Sequence, residues 1–119
     1  MKDFSIFEEK IGIEFKNKEL LRQAFTHRSY INENQGIVSG HNERLEFLGD
    51  AVLELVTTEE LFKVFPNKPE GELTSIRSAM VNTISIGDAA KNLGANDFLL
   101  LSKGESKDTG KARSYILAN

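Results

Sequence analysis

The 119-residue chain contains no cysteine, no tryptophan and only two prolines. Without cysteine, disulfides and thiolate metal sites are excluded, and a reducing compartment is compatible with the sequence. No stretch approaches the roughly 20 apolar residues that a membrane-spanning helix needs. The first ten residues, MKDFSIFEEK, carry acids where a secretory signal would need an apolar run. Positive charge is also scarce. Fifteen Lys and Arg stand against eighteen Asp and Glu, a net charge of −3. No global positive field draws this chain to nucleic acid, so a polyanion partner has to be held by local patches or bound cations. The length suits one domain, 39% hydrophobic content suits an ordinary soluble protein, and the expected compartment is the cytoplasm.

Hydrophobic residues recur at helical spacing through most of the chain. Ile6, Phe7, Ile11 and Phe15 surround a short helix interrupted by Gly12, and residues 18–26 form a second, with Leu20, Leu21, Ala24 and Phe25 in register. NENQGIVSG at 32–40 reads as a polar loop. Asn42 is the expected N-cap of a long central helix that runs until Phe65 meets Pro66. A turn, PNKPEG, leads to a helix from Glu72 to about Thr83, and Ser85 with Asp88 resembles a capping box opening the next, which Gly94 ends. NDFLLLSKGESKDTGK mixes a short apolar run with a loop before SYILAN. The fold class is all-α.

In the central helix, Leu45, Leu48, Ala51, Val52, Leu55 and Val56 fall within an arc of roughly 140° on a wheel of 100° per residue, the expected core-facing stripe. Glu43, Glu46, Asp50 and Glu54 fall within roughly 80° on another side. Acidic surface helices are common, and Glu43 suits the positive end of the helix dipole. Asp50 fits that account poorly. It lies beyond the dipole's reach and has no Lys or Arg three or four positions away. A divalent cation would turn the repulsion into a site, because Mg²⁺ is typically held by one or two carboxylates plus waters and substrate phosphate. Gly49 costs the helix about 1 kcal/mol relative to Ala, which points to close approach of another helix beside the acids. Phe47 lies about 200° from Leu45, off the apolar stripe, where an aromatic is either tucked under a neighbouring element or an interface anchor.

HNERLEFLGDAVLELV at 41–56 closely resembles the signature motif of the ribonuclease III catalytic domain. THRSY at 26–30, PEGELTSIRSAMVN at 69–82 and the closing ARSYILAN match the bacterial enzymes in order and approximate spacing, so the resemblance covers essentially the whole chain. It implies an all-helical endonuclease domain that forms symmetric homodimers and cleaves double-stranded RNA, rRNA precursors included, with Mg²⁺, for which Mn²⁺ substitutes. By the same resemblance, Glu46 is a direct metal ligand and Asp50 the essential catalytic carboxylate that also binds metal. Glu43 and Glu70 line the same valley and act on substrate placement or outer-shell water. Phe47 is the knob that enters a socket on the partner, and Asn119 stands where the family usually places a metal-binding acid.

Other expectations concern RNA contact and completeness. Lys103, Lys107, Lys111 and Arg113, against Glu105 and Asp108, make a modestly basic loop whose default reading is solvated surface; if the domain binds A-form RNA, this loop and Arg77 could reach phosphates. Neither His27 nor His41 has the context of a general base. The family continues past ILAN into a further helix bearing a metal-binding Glu and then a double-stranded-RNA-binding domain. The expectation is therefore a catalytic domain over 1–119 that is C-terminally incomplete and impaired as a fragment. The alternative is a non-catalytic relative retained for RNA binding or scaffolding, against which the retained acids argue.

Overall fold

The computed structural model describes residues 2–36 and 40–119. Asp3 starts the first helix by accepting the Ser5 N–H, and α1 (Phe4–Ile11) stops at Gly12, whose φ of 73° only a residue without a Cβ adopts freely. Asn17 caps α2 (Lys18–Ala24) through the Leu20 N–H. A tight corner at Thr26 leads into α3 (Arg28–Glu33), capped by the His27 ring, which accepts from the Ser29 N–H. The long α4 (Glu43–Val64) ends before Pro66 as expected, and α5 (Glu70–Met80) returns beside it. After α6 (Thr83–Asn92) come a 3₁₀ turn (Ala95–Phe98), α7 (Lys103–Lys107) and α8 (Lys111–Ala118). Among the described residues the only β pairing is one bridge, Thr26 with Leu100, and the architecture is all-α.

The core is aromatic and lies at one end. Phe4, Phe7, Phe25 and Phe98 stack with ring centroids 4.9–6.3 Å apart, over Leu21, Leu99 and Leu100. Such tilted and edge-on pairs add to the area term of burial. Thr26 is fully inaccessible, and its hydroxyl donates to the Arg22 carbonyl at 2.7 Å. Around it, His27 N–H donates to Leu100 O (3.0 Å) and Leu100 N–H to Phe25 O (2.9 Å), fixing the α2–α3 corner to the strand-like segment that follows the 3₁₀ turn. On the other side, α6 and α8 pack extensively. At Gly87 a Cβ would lie 3.2 Å from the Ser114 carbonyl oxygen. The α4–α5 pair projects from this body: the radius of gyration is 16.1 Å, against about 13–14 Å for a compact domain of this length.

Several local expectations change. The stripe assigned to the core on α4 is exposed: Leu48, Val52, Leu55 and Val56 are 52–66% accessible, whereas the buried positions are Thr57 and Leu61. A wheel locates an apolar face but not what covers it, and among the described residues α4 packs chiefly on α5, through its Leu61 side. Asn42 occupies the N-cap position of α4 without a side-chain cap, because its ψ of 6° is not the extended backbone that capping requires. The cap of α6 is Asn82, which accepts the Ser85 N–H at 2.9 Å, so Ser85 is the capped residue and not the cap. The α3 helix spans a stretch for which no helix was expected and runs into the expected loop at 32–33, the single-turn α7 falls in a segment expected as loop, α5 starts two residues early, and Ile6 and Leu20 face solvent. Residues 37–39 of the expected polar loop lie outside the described residues.

Among the described residues Glu8 is the one buried acid. Its Oε2 accepts from Lys18 Nζ at 2.8 Å and from the Phe15 N–H at 2.6 Å, closing the α1–α2 connection. The Lys18 hydrogen bond first, then that of Phe15, hold its carboxyl below the ordinary glutamate value of 4.5. An acid with a depressed folded pKa contributes stability that is present above the unfolded value and lost as pH falls through the folded one. Urea unfolding between pH 5 and pH 3 is therefore expected to show a steeper loss of stability for the wild type than for Glu8→Gln. Parallel curves would remove Glu8 from the acid response.

Candidate functional site

Where α4 passes between the end of α2, α6 and the end of α8, a pocket of about 220 Å³ opens. Its polar lining is Asn42, Glu46, Asp50 and Asn119, and Leu45, Leu53 and Ile86 supply apolar wall. Glu46 and Asp50, four residues apart on α4, are stacked one turn above the other on the same face. Asn119 reaches them because α8 lies tightly against α6. Gly49 also lines the pocket, yet a Cβ there would meet nothing within 4 Å. The close helix approach expected from this glycine is therefore absent.

Glu46 is half-buried, and that burial first, then the charges of Asp50 and Glu43, push its carboxyl above the usual glutamate range. The ionised pair is thus disfavoured in the bare site. Glu43 turns outward: its Oε2 is 3.1 Å from Arg28 Nη2 on α3, an exposed ion pair. Glu70, the first residue of α5, does not line this pocket within the chain. It lines a second hollow of about 150 Å³ between α4 and α5, with Thr58, Leu61, Phe62, Leu73 and Arg77. Phe47 points to solvent and is 84% accessible, which settles its place off the core.

The donor set can be tested against Mg²⁺. Among the described residues no group of three or more His, Asp or Glu converges as a ready-made cage. Two carboxylates and a neutral amide oxygen around one small, partly apolar pocket do suit an ion that keeps several waters and takes one or two protein carboxylates. The crowding that raises Glu46 is what a bound cation would relieve. Glu46, Asp50 and Asn119 would hold it.

The basic loop behaves differently from expectation at one position. The Arg113 guanidinium is bound to Asn96 Oδ1 and to the carbonyls of Glu105 and Ser106, at 2.9–3.1 Å, so it staples α8 to the 3₁₀ turn and α7 and is not offered to phosphate. Arg77 likewise donates to Thr58 Oγ1 at 2.9 Å, with Glu54 3.7 Å away. Lys103, Lys107 and Lys111 remain exposed. The grip on Asn42 has no counterpart in the sequence pattern: Asn42 N–H donates to Thr26 O and Asn42 Nδ2 to Ala24 O, both at 2.9 Å.

A family model described as ribonuclease-III-like matches residues 17–119. The chain belongs to that family. Ribonuclease 3 of Streptococcus pneumoniae is 45% identical to it over 115 residues, covering 97% of this chain and 50% of that protein. Ribonuclease 3 of Bacillus cereus is 48% identical over 116 residues, covering 98% and 47%. This ribonuclease-III-like chain thus spans about half the length of the curated relatives it matches. The nuclease domain of Campylobacter jejuni ribonuclease III superposes with a TM-score of 0.85 at 42% identity, over 98% of this chain and 77% of that one. A second structure of that domain, at 2.2 Å resolution, gives 0.84 at 43%, over 99% and 76%. The first is described for structural flexibility in its region involved in dimer formation. The family, the all-α fold and the nuclease-domain likeness thus agree with what the motif at 41–56 implied.

Proposed function

We propose that this chain is the catalytic part of a Mg²⁺-dependent endoribonuclease that cleaves duplex RNA, rRNA precursors among its substrates, in the cytoplasm. The carrying observation is that Asn119, far from Glu46 and Asp50 in sequence, lines one pocket with them. A bound Mg²⁺ would supply a water of lowered pKa and neutralise charge on the scissile phosphate. The chain's own part is to hold Glu46 and Asp50 on one rigid helix, so that their spacing needs no rearrangement when substrate arrives. Leu45, Leu53 and Ile86 restrict water on the inner side and strengthen the electrostatics of the acids. Asn119 offers a neutral oxygen and adds no charge.

A homodimer accounts for the residues this pocket leaves out. Phe47 sits beside Glu46 but faces away from it, and the α4–α5 hollow, at about 150 Å³, is of the size that accepts a benzene ring. Seating Phe47 of one copy in the hollow of the other would bring Glu70 of that copy toward the first copy's acids. Glu70 would then act on substrate placement across the interface, and Glu43, paired with Arg28, at its edge.

Two duplexes and a single strand of matched sequence test the reading. The duplexes are expected to be cut in Mg²⁺ or Mn²⁺ and spared in EDTA, with the single strand spared throughout. Tight duplex binding without cleavage in either metal, by a folded protein carrying whatever further domains its gene encodes, would favour the scaffold instead.

A further inference from the structure

The residue that opens α4 does not cap it. An Asn at that position usually accepts an N–H of its own helix, worth about 1 kcal/mol, and Asn17 and Asn82 do so here. Asn42 instead turns its amide backward, Nδ2 donating to the Ala24 carbonyl at 2.9 Å. Its backbone N–H donates to the Thr26 carbonyl at 2.9 Å. Gln23 Nε2 adds a third link, to the carbonyl of His41 at 3.2 Å. These bonds end on the last turn of α2 and on Thr26, which is itself fully buried and bridged to Leu100. The start of α4 is therefore tied to the buried α2–α3 corner, while among the described residues its main packing partner is α5.

That attachment sits beside the acids. Asn42 lines the same pocket as Glu46 and Asp50, and its own carbonyl accepts the Glu46 N–H at 2.8 Å. Rotation or sliding of α4 about its start would carry Glu46 away from Asn119 before it disturbed the distant aromatic core. We propose that Asn42 is a positioning residue: by exchanging its helix-capping role for a hydrogen bond to Ala24, it fixes the rotation of α4 that aims Glu46 and Asp50 into the pocket with Asn119. The inference rests on the reading of that pocket as a cation site.

Its test compares Asn42→Ala with Asn17→Ala, which removes an ordinary cap from α2, and Asn42→Ser, which keeps a short polar group able to donate. Mn²⁺ affinity is read by electron paramagnetic resonance, stability by thermal unfolding, and cleavage as separate kcat and KM. Asn42→Ala is expected to weaken Mn²⁺ binding about tenfold, within the range seen when groups that orient metal ligands are removed, and to lower kcat more than it raises KM. Asn42→Ser should recover part of the affinity, and Asn17→Ala should lower the melting temperature with Mn²⁺ binding unchanged. Equal Mn²⁺ affinity in wild type and Asn42→Ala, or equal losses in Asn42→Ala and Asn17→Ala, would overturn the proposal. A wild-type protein that binds no Mn²⁺ would overturn the cation-site reading itself, a result separate from the other two.

Discussion

Asp50→Asn is expected to lower duplex-RNA cleavage by about 10³-fold or more, because metal-assisted charge stabilisation is worth several kcal/mol and each 1.4 kcal/mol is about a factor of ten. The substitution keeps the shape of the side chain and removes the charge that a Mg²⁺ ion needs. Asp50 is exposed and lies one turn from Glu46, so the loss of like-charge repulsion is expected to leave stability unchanged or raise it by a few tenths of a kcal/mol, the typical size of such helix pairs. Unchanged circular dichroism together with abolished turnover is the expected pair of results. A folded Asp50→Asn enzyme at full rate would sink the assignment of the pocket.

How Glu46 titrates sharpens the same experiment. Burial and the neighbouring Asp50 and Glu43 charges raise its carboxyl. A carboxyl with a raised folded pKa favours the folded state most at low pH, and that advantage is lost as pH rises through the folded value. The metal-free protein should therefore gain stability from Asp50→Asn on the neutral side of that transition, where Glu46 is charged. The gain should vanish in strong acid.

The acids were legible because they violate a local rule. Glu43, Glu46 and Asp50 share one helix face, Asp50 has no Lys or Arg three or four positions away, and such a local penalty needs a compensating use. Placement was harder. Neither periodicity nor spacing brings Asn119 to the α4 acids; only the family resemblance pointed there, since the placement depends on the seating of α8 against α6 at Gly87. Periodicity located the helices, but it misjudged the outward face of α4, because Leu48, Val52, Leu55 and Val56 mark a surface that seeks cover without naming the cover. Capping signals erred for a related reason. At Asn42 the tertiary contact with Ala24 wins over the local cap, and at Ser85 the cap passes to Asn82, whose side chain accepts the Ser85 N–H. Arg113 and Arg77 looked like phosphate contacts only because their carbonyl, hydroxyl and amide partners are far away in sequence.

Phe47→Ala carries the second large effect, on self-association. An aromatic that is 84% accessible adds nothing appreciable to the folding of one chain, so truncating it should leave the monomer's unfolding curve in place. Seated in a hollow of about 150 Å³ lined by Leu61, Phe62 and Leu73 of a second copy, the same ring would be an anchor of the kind that costs 2 kcal/mol or more when truncated. In the proposed two-fold dimer each substitution would remove two such anchors, and the dimer dissociation constant is then expected to rise by about 10³-fold. Filling the hollow from the other side, with Leu73→Trp, should weaken the dimer in the same way while Phe47 remains intact. Sedimentation equilibrium across a thousandfold range of protein concentration separates the outcomes. An unchanged dissociation constant in both variants would mean that Phe47 and the α4–α5 hollow do not meet, and would leave Glu70 without a route to the acids of α4.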